Sequence, residues 1–164
     1  MKKFQKGLPR SERGQSLFEV VLAIAVLTLV LGGLASLATV SVRNSTFSRN
    51  KTLSSKYAQE ASEWLRSERD TDRDVFISRA GAVDVTVRYC LQLQPLAASA
   101  WSNTGACLAS EVIANTQFKR DLTLVKRIKS LKTVIEADVV VSWEDSQGSH
   151  EARSMTYFSD WRER

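Results

Sequence analysis

Histidine is almost missing from this chain of 164 residues, with His150 the only one. A histidine-rich metal site therefore has no basis, and a Ser-His-Asp triad would rest on one side chain that the pattern places in a turn. Glycine is scarce, and none of the seven residues falls in a P-loop or a glycine-rich nucleotide fingerprint. Cysteine occurs only at positions 90 and 107, too few for a complete structural zinc site. The expectation is a protein that is not an enzyme, holds no cofactor or metal and takes no small-molecule substrate.

Charge is missing in one place. From Val20 to Val42, 23 consecutive residues carry none, and proline is absent from the same run. At 1.5 Å rise per residue such a helix crosses a hydrocarbon core of about 30 Å. A transmembrane segment over about 17–42 follows. One carboxylate, Glu19, lies just inside it. A lone acid there is costly, roughly 2.5 to 3.5 kcal/mol for Asp at a helix centre and less near the end, so Glu19 calls for a partner. Gly32-Gly33 is the flexible point of the run, each glycine costing about 1 kcal/mol against alanine in a helix. The pair serves either local melting or close helix contact.

The formal charge of +5 belongs mostly to the first 14 residues, where Lys2, Lys3, Lys6, Arg10 and Arg13 face only Glu12. Beyond them the chain is nearly neutral. A basic stretch beside an apolar run reads as positive-inside topology, which keeps the N-terminus in the cytoplasm and sends the C-terminus out of the cell interior. Cys90 and Cys107 then lie in a disulfide-permissive compartment. A bridge between them would close a loop of about 18 residues and stabilise by roughly 3 kcal/mol in the chain-entropy model. The alternative is two buried free thiols.

A secretory signal places its small-residue cleavage site after the apolar core. Here the small residue, Gly14, comes before it, so a cut would leave the hydrophobic helix on the mature protein. The stretch Arg13-Gly14-Gln15-Ser16-Leu17-Phe18-Glu19-Val20 resembles the class III signal of type IV prepilins. That resemblance implies cleavage after Gly14 by a membrane aspartyl prepilin peptidase and N-terminal methylation of Gln15, where the family commonly has Phe. It also implies that Glu19 pairs with the N-terminal amine of a neighbouring subunit during assembly. Gln59–Asp70, QEASEWLRSERD, is similar to the end of the long helix in minor pilin-like proteins.

Past Arg43 an amphipathic pattern continues, with Phe47, Ser54, Tyr57, Ala61, Trp64, Leu65 and Glu68 at helical steps. The expected layout is a cleaved leader over 1–14, a long helix over 15–70 and a globular domain over 75–164. The helix ends in the charge cluster Glu68 to Asp74, where Asp70, Asp72 and Asp74 have the initial spacing of a calcium loop. Val75 and Gly81 stand where that loop needs Gly and Glu, so the cluster reads as a solvated helix exit.

Strict alternation from Val83 to Leu93 predicts a first strand, ended by Pro95. Residues 96–116 read as a loop tied back by the proposed bridge. Phe118, Leu122 and Leu124 mark a second strand and Ile135 to Trp143 a third. Ser146-Gln147-Gly148-Ser149 turns the chain into a fourth strand through Arg153, Met155 and Tyr157. The fold class is α+β and pilin-like, a long N-terminal helix packed on an antiparallel sheet of about four strands.

Lys126, Arg127, Lys129 and Lys132 form the strongest basic cluster, a candidate for phosphate contact in a DNA-receptor pilin. Four charges without interleaved aromatics read better as a solvated hairpin, and nucleic acid is not an expected partner. Trp64, Trp101, Trp143 and Trp161 are expected in the core or at subunit contacts. The combined expectation is a minor pilin or pseudopilin in the inner membrane and then in a surface or periplasmic filament. Its partners would be the prepilin peptidase, other pilin-like subunits, an assembly platform and membrane lipid. The rivals are the DNA-receptor pilin and a single-pass anchored binding domain that never assembles.

Overall fold

The computed structural model of the chain describes residues 13–129 and 132–159, with side chains from Leu17 onward. The leader up to residue 12 and Trp161 lie outside the described residues. The chain divides between Thr46 and Phe47 into two compact units. The first is the apolar part of helix α1, which runs over Arg13–Thr71.

The second unit is an α+β domain. Its part of α1 packs on a four-stranded antiparallel meander in the order β1 (Thr86–Cys90), β2 (Lys119–Lys129), β3 (Lys132–Asp145) and β4 (Gly148–Ser159). The helix presents Ser54, Ala58, Ala61, Ser62 and Leu65, all buried. Small residues there let the helix backbone approach the sheet, and Ser62 Oγ lies 2.9 Å from Ser154 Oγ of β4. The sheet answers with the alternation read from the sequence. Ile135, Ala137, Val139, Val141 and Trp143 of β3 and Leu122 and Leu124 of β2 are all buried.

Helix α1 ends in the charge cluster, but the exit is more structured than a solvated turn. The carboxylate of Asp72 accepts from Val75 N at 3.0 Å and caps a short helix, α2 (Arg73–Arg79). Asp70 pairs with Arg69 at 2.7 Å and Asp74 with Arg73 at 3.8 Å. The acids at alternate positions thus serve one cap and two exposed ion pairs. Helix α2 buries Phe76 against Phe158 and Trp101, with ring centroids 5.2 and 6.3 Å apart.

The first strand is shorter than the alternation predicts. Asp84 has φ +60°, which breaks the extended backbone, and Val83 and Val85 are exposed. At the other end Leu91 N still reaches Arg120 O at 2.9 Å, but Leu93 is already exposed. On β4 the inward positions are Ala152 and Phe158, while Met155 and Tyr157 point outward. His150 is not in a turn. It lies in β4, its Nε2 2.9 Å from Asp145 Oδ1 and its ring beside Phe47 and Trp143.

The long connection from β1 to β2 is held at three points. Cys90 and Cys107 form a disulfide. A 3₁₀ turn over Ala98–Ser102 buries Trp101, which stacks on Trp64 at 4.8 Å and donates its Nε1–H to Glu68 at 2.8 Å. The carboxylate of Glu111 accepts from Leu108 N at 2.7 Å and from the amides of Asn103 and Gln92 at 3.0 Å.

Those three donors, Leu108 N foremost, hold the Glu111 carboxyl below the ordinary glutamate value of 4.5. A depressed carboxylate adds stability above its unfolded pKa and loses it as pH falls through the folded one. Thermal stability should therefore fall as the pH drops from about 6 to about 3. Glu111→Gln should weaken that dependence while lowering the melting temperature at neutral pH. Parallel melting curves for the two proteins across this range check it, and an unchanged slope would contradict the assignment.

Candidate functional site

The residues singled out by the sequence fall into separate places. Gly14, Gln15 and Glu19 lie on the first turns of α1, and of Gly14 and Gln15 only the helical backbone is described. No side chain from Leu17 to Thr46 is buried. Leu17 and Leu29 leave 71% and 77% of their surface open, and Phe18 leaves 70%. This stretch is long and apolar enough to cross a membrane.

Its three threonine hydroxyls are satisfied from within. Thr28 donates to Ala25 O at 2.8 Å, Thr39 to Ala35 O at 3.0 Å and Thr46 to Val42 O at 3.0 Å. Hydroxyls bonded back to their own helix do not ask for water, which suits a lipid or protein surround. Glu19, the one carboxylate of the stretch, is exposed and makes no hydrogen bond or ion pair among the described residues. A Cβ placed on Gly32 or Gly33 would meet nothing within 4 Å, so no contact inside the chain requires glycine at either position.

The basic cluster does not form one uncommitted surface. The pleat of β2 puts Lys126 on the side of Leu124, and Arg127 and Lys129 on the opposite face. Arg127 bonds Glu136 at 2.9 Å and Asp84 at 3.0 Å, and Lys129 bonds Glu136 at 3.0 Å. The hydrogen bonds from Arg127 and Lys129 lower the Glu136 pKa, which marks a carboxylate that competes with phosphate for both cations. Lys132 opposes Lys129 across the β2–β3 register.

Trp64, Trp101 and Trp143 serve packing, with Trp101 and Trp143 almost wholly buried. Among the described residues no group of three or more His, Cys, Asp or Glu side chains could hold a metal ion.

Two features carry no sequence signal. Arg120 is fully buried at a position where the alternation asks for an apolar side chain, and it donates to backbone carbonyls of three residues. An open cleft of about 430 Å³ lies between α1 at Arg49, Asn50, Leu53 and Tyr57 and the turn over 115–118. The polar residues Asn115, Thr116 and Gln117 read only as loop composition in the sequence. With these geometries in hand, comparison with known proteins adds no assignment: no family model, no curated protein and no solved structure matches the chain.

Proposed function

We propose that the chain is a structural subunit of a membrane-extracted helical filament, a minor pilin or pseudopilin of a type IV pilus or a type II secretion-like system. The observation that carries this reading is the uncovered apolar surface of α1 from Leu17 to Thr46, with Glu19 exposed near its start. In the proposed sequence, the prepilin peptidase cuts after Gly14 on the cytoplasmic side. The mature chain then waits in the inner membrane, with its disulfide-bonded domain outside the cytoplasm. An assembly platform extracts it, and helices of other pilin-like subunits replace lipid around some 23 apolar residues.

The DNA-receptor reading draws less support, because Glu136 engages two of the four cluster cations. Mass spectrometry of the mature N-terminus tests the processing step. A start at Gln15, with or without a methyl group on its amine, is the expected result. An intact leader would overturn the filament reading and favour a non-assembling anchored domain, which has no use for a cut before its membrane helix.

A further inference from the structure

The bridge between Cys90 and Cys107 presents its two sulfurs to different surroundings. Cys90 is 1% exposed and stands between Tyr89 and Leu91, both buried. Cys107 is half-buried, and the residues on either side of it, Thr104 to Ala106 and Leu108 to Ser110, are all exposed. Thiol–disulfide exchange depends on which sulfur an incoming group can reach. An open recess of about 230 Å³, lined by Gln92, Ser99 and Asn103 among others, also borders Cys90, but it leaves that residue almost wholly closed to water.

Bonds other than the bridge bring the two cysteines together. Cys90 N donates to Asn103 O at 3.0 Å and Gly105 N donates to Arg88 O at 2.8 Å, which lays residues 103–105 along β1. From the other side, Asp121 of β2 is the register partner of Cys90, and its carboxylate accepts from Cys107 N at 2.7 Å. One residue of the sheet thus places both cysteines. A fold that holds two groups in place raises their effective concentration for each other.

We propose that Cys107 is the sulfur through which the bridge exchanges with an external thiol–disulfide couple, that Cys90 is the resolving thiol, and that Asp121 positions Cys107 for closure. In the forward direction the Cys107 thiolate attacks the external disulfide. A bond forms between Cys107 Sγ and one external sulfur, and the other leaves as a thiolate that takes a proton. Cys90 then gives up its proton, attacks Cys107 Sγ and expels the second external sulfur. The two cysteines lose two electrons and two protons, and the external disulfide gains them. In reverse, attack at Cys107 must expel a Cys90 thiolate into a site closed to water, which is costly. The bridge is therefore easier to close than to open. The inference goes beyond the filament reading and does not depend on it.

The test treats the oxidised full-length chain in detergent micelles with excess reduced glutathione, quenches in acid and maps the adduct by mass spectrometry. Opening and closure pass through the same mixed disulfide, so one map reports both directions. Glutathione is expected on Cys107 about tenfold or more over Cys90, and in guanidinium chloride the two should become about equal. After reduction, glutathione disulfide should modify Cys107 in Cys90→Ser and leave Cys90 nearly untouched in Cys107→Ser. Asp121→Ala should make the mixed disulfide last about fivefold longer, and Asp121→Asn, which keeps an acceptor for Cys107 N, should restore most of the closure rate. Tryptophan fluorescence reports whether each chain stays folded, and the map of the unsubstituted chain needs no variant. An adduct on Cys90 in the folded chain would mean entry through the recess and overturns the proposal, as does a bridge that opens only on global unfolding. A closure rate indifferent to Asp121→Ala overturns the positioning role.

Discussion

Arg120→Ala is expected to destabilise the domain by about 3–5 kcal/mol, more than any exposed ion pair could. The Arg120 side chain is completely enclosed. Its Nη2 donates to Leu93 O at 2.7 Å, its Nε to Leu91 O at 3.2 Å and its Nη1 to Tyr57 O at 3.3 Å. The guanidinium therefore ties β2 to the helix and to the segment that leaves β1. Desolvation pulls its pKa down to about 10, against the opposing influence of Glu60 and Tyr57, so it stays charged at neutral pH. Alanine would leave a cavity and strip the carbonyls of Leu91 and Leu93 of this donor. Arg120→Met fills most of the volume and removes the cost of burying a charge, so it should lose less than alanine. Denaturant unfolding of the full chain, followed by tryptophan fluorescence, gives the order. An alanine variant within about 1 kcal/mol of the parent would show that the three bonds are replaceable.

That arginine also marks where sequence reading stops. The period of two in β3 is unbroken from Ile135 to Trp143 because that strand has strands on both sides and only one face on the helix. Its neighbour β2 follows the same alternation but places a cation at an inward position, and charge at such a place reads as solvent-facing until its acceptors are known. The edge strands lose the pattern for a different reason. In β1 a left-handed residue at Asp84 and the bridge at Cys90 shorten the paired stretch to Thr86–Cys90, although the alternation runs on at both ends. In β4 the apolar Met155 and Tyr157 face outward and the modest Ala152 and Ser154 face the helix, so side-chain apolarity misidentifies the inner face. The disulfide and the long helix were legible because topology and an uninterrupted apolar run depend on few residues. Asp72 as a cap depends on one hydrogen bond from three residues away and Glu111 as a loop organiser on three donors within and across the loop, and composition carries no trace of them.

Glu19→Gln is expected to abolish incorporation into filaments while leaving cleavage after Gly14 intact. The substitution keeps the size and polarity of the side chain and removes only its charge. Glu19 is exposed among Leu17, Phe18, Val20 and Val21, all themselves more than half exposed, and no described residue of its own chain pairs with it. In lipid such a carboxylate is held at a cost. In the proposed filament the cut after Gly14 supplies the missing cation, the new amine of Gln15 on a neighbouring subunit. The neutral amide could not make that ion pair, so its loss removes the energetic reason to leave the membrane in register. Glu19→Asp retains the charge on a shorter arm and should keep partial incorporation. Sheared filaments and membranes, separated by sedimentation and probed for the chain, report assembly, and mass spectrometry of the membrane fraction reports cleavage. Loss of both together would mean that Glu19 acts in recognition by the peptidase instead. Normal incorporation of Glu19→Gln would remove the ion pair from the mechanism and leave apolar packing of α1 as the whole driving force.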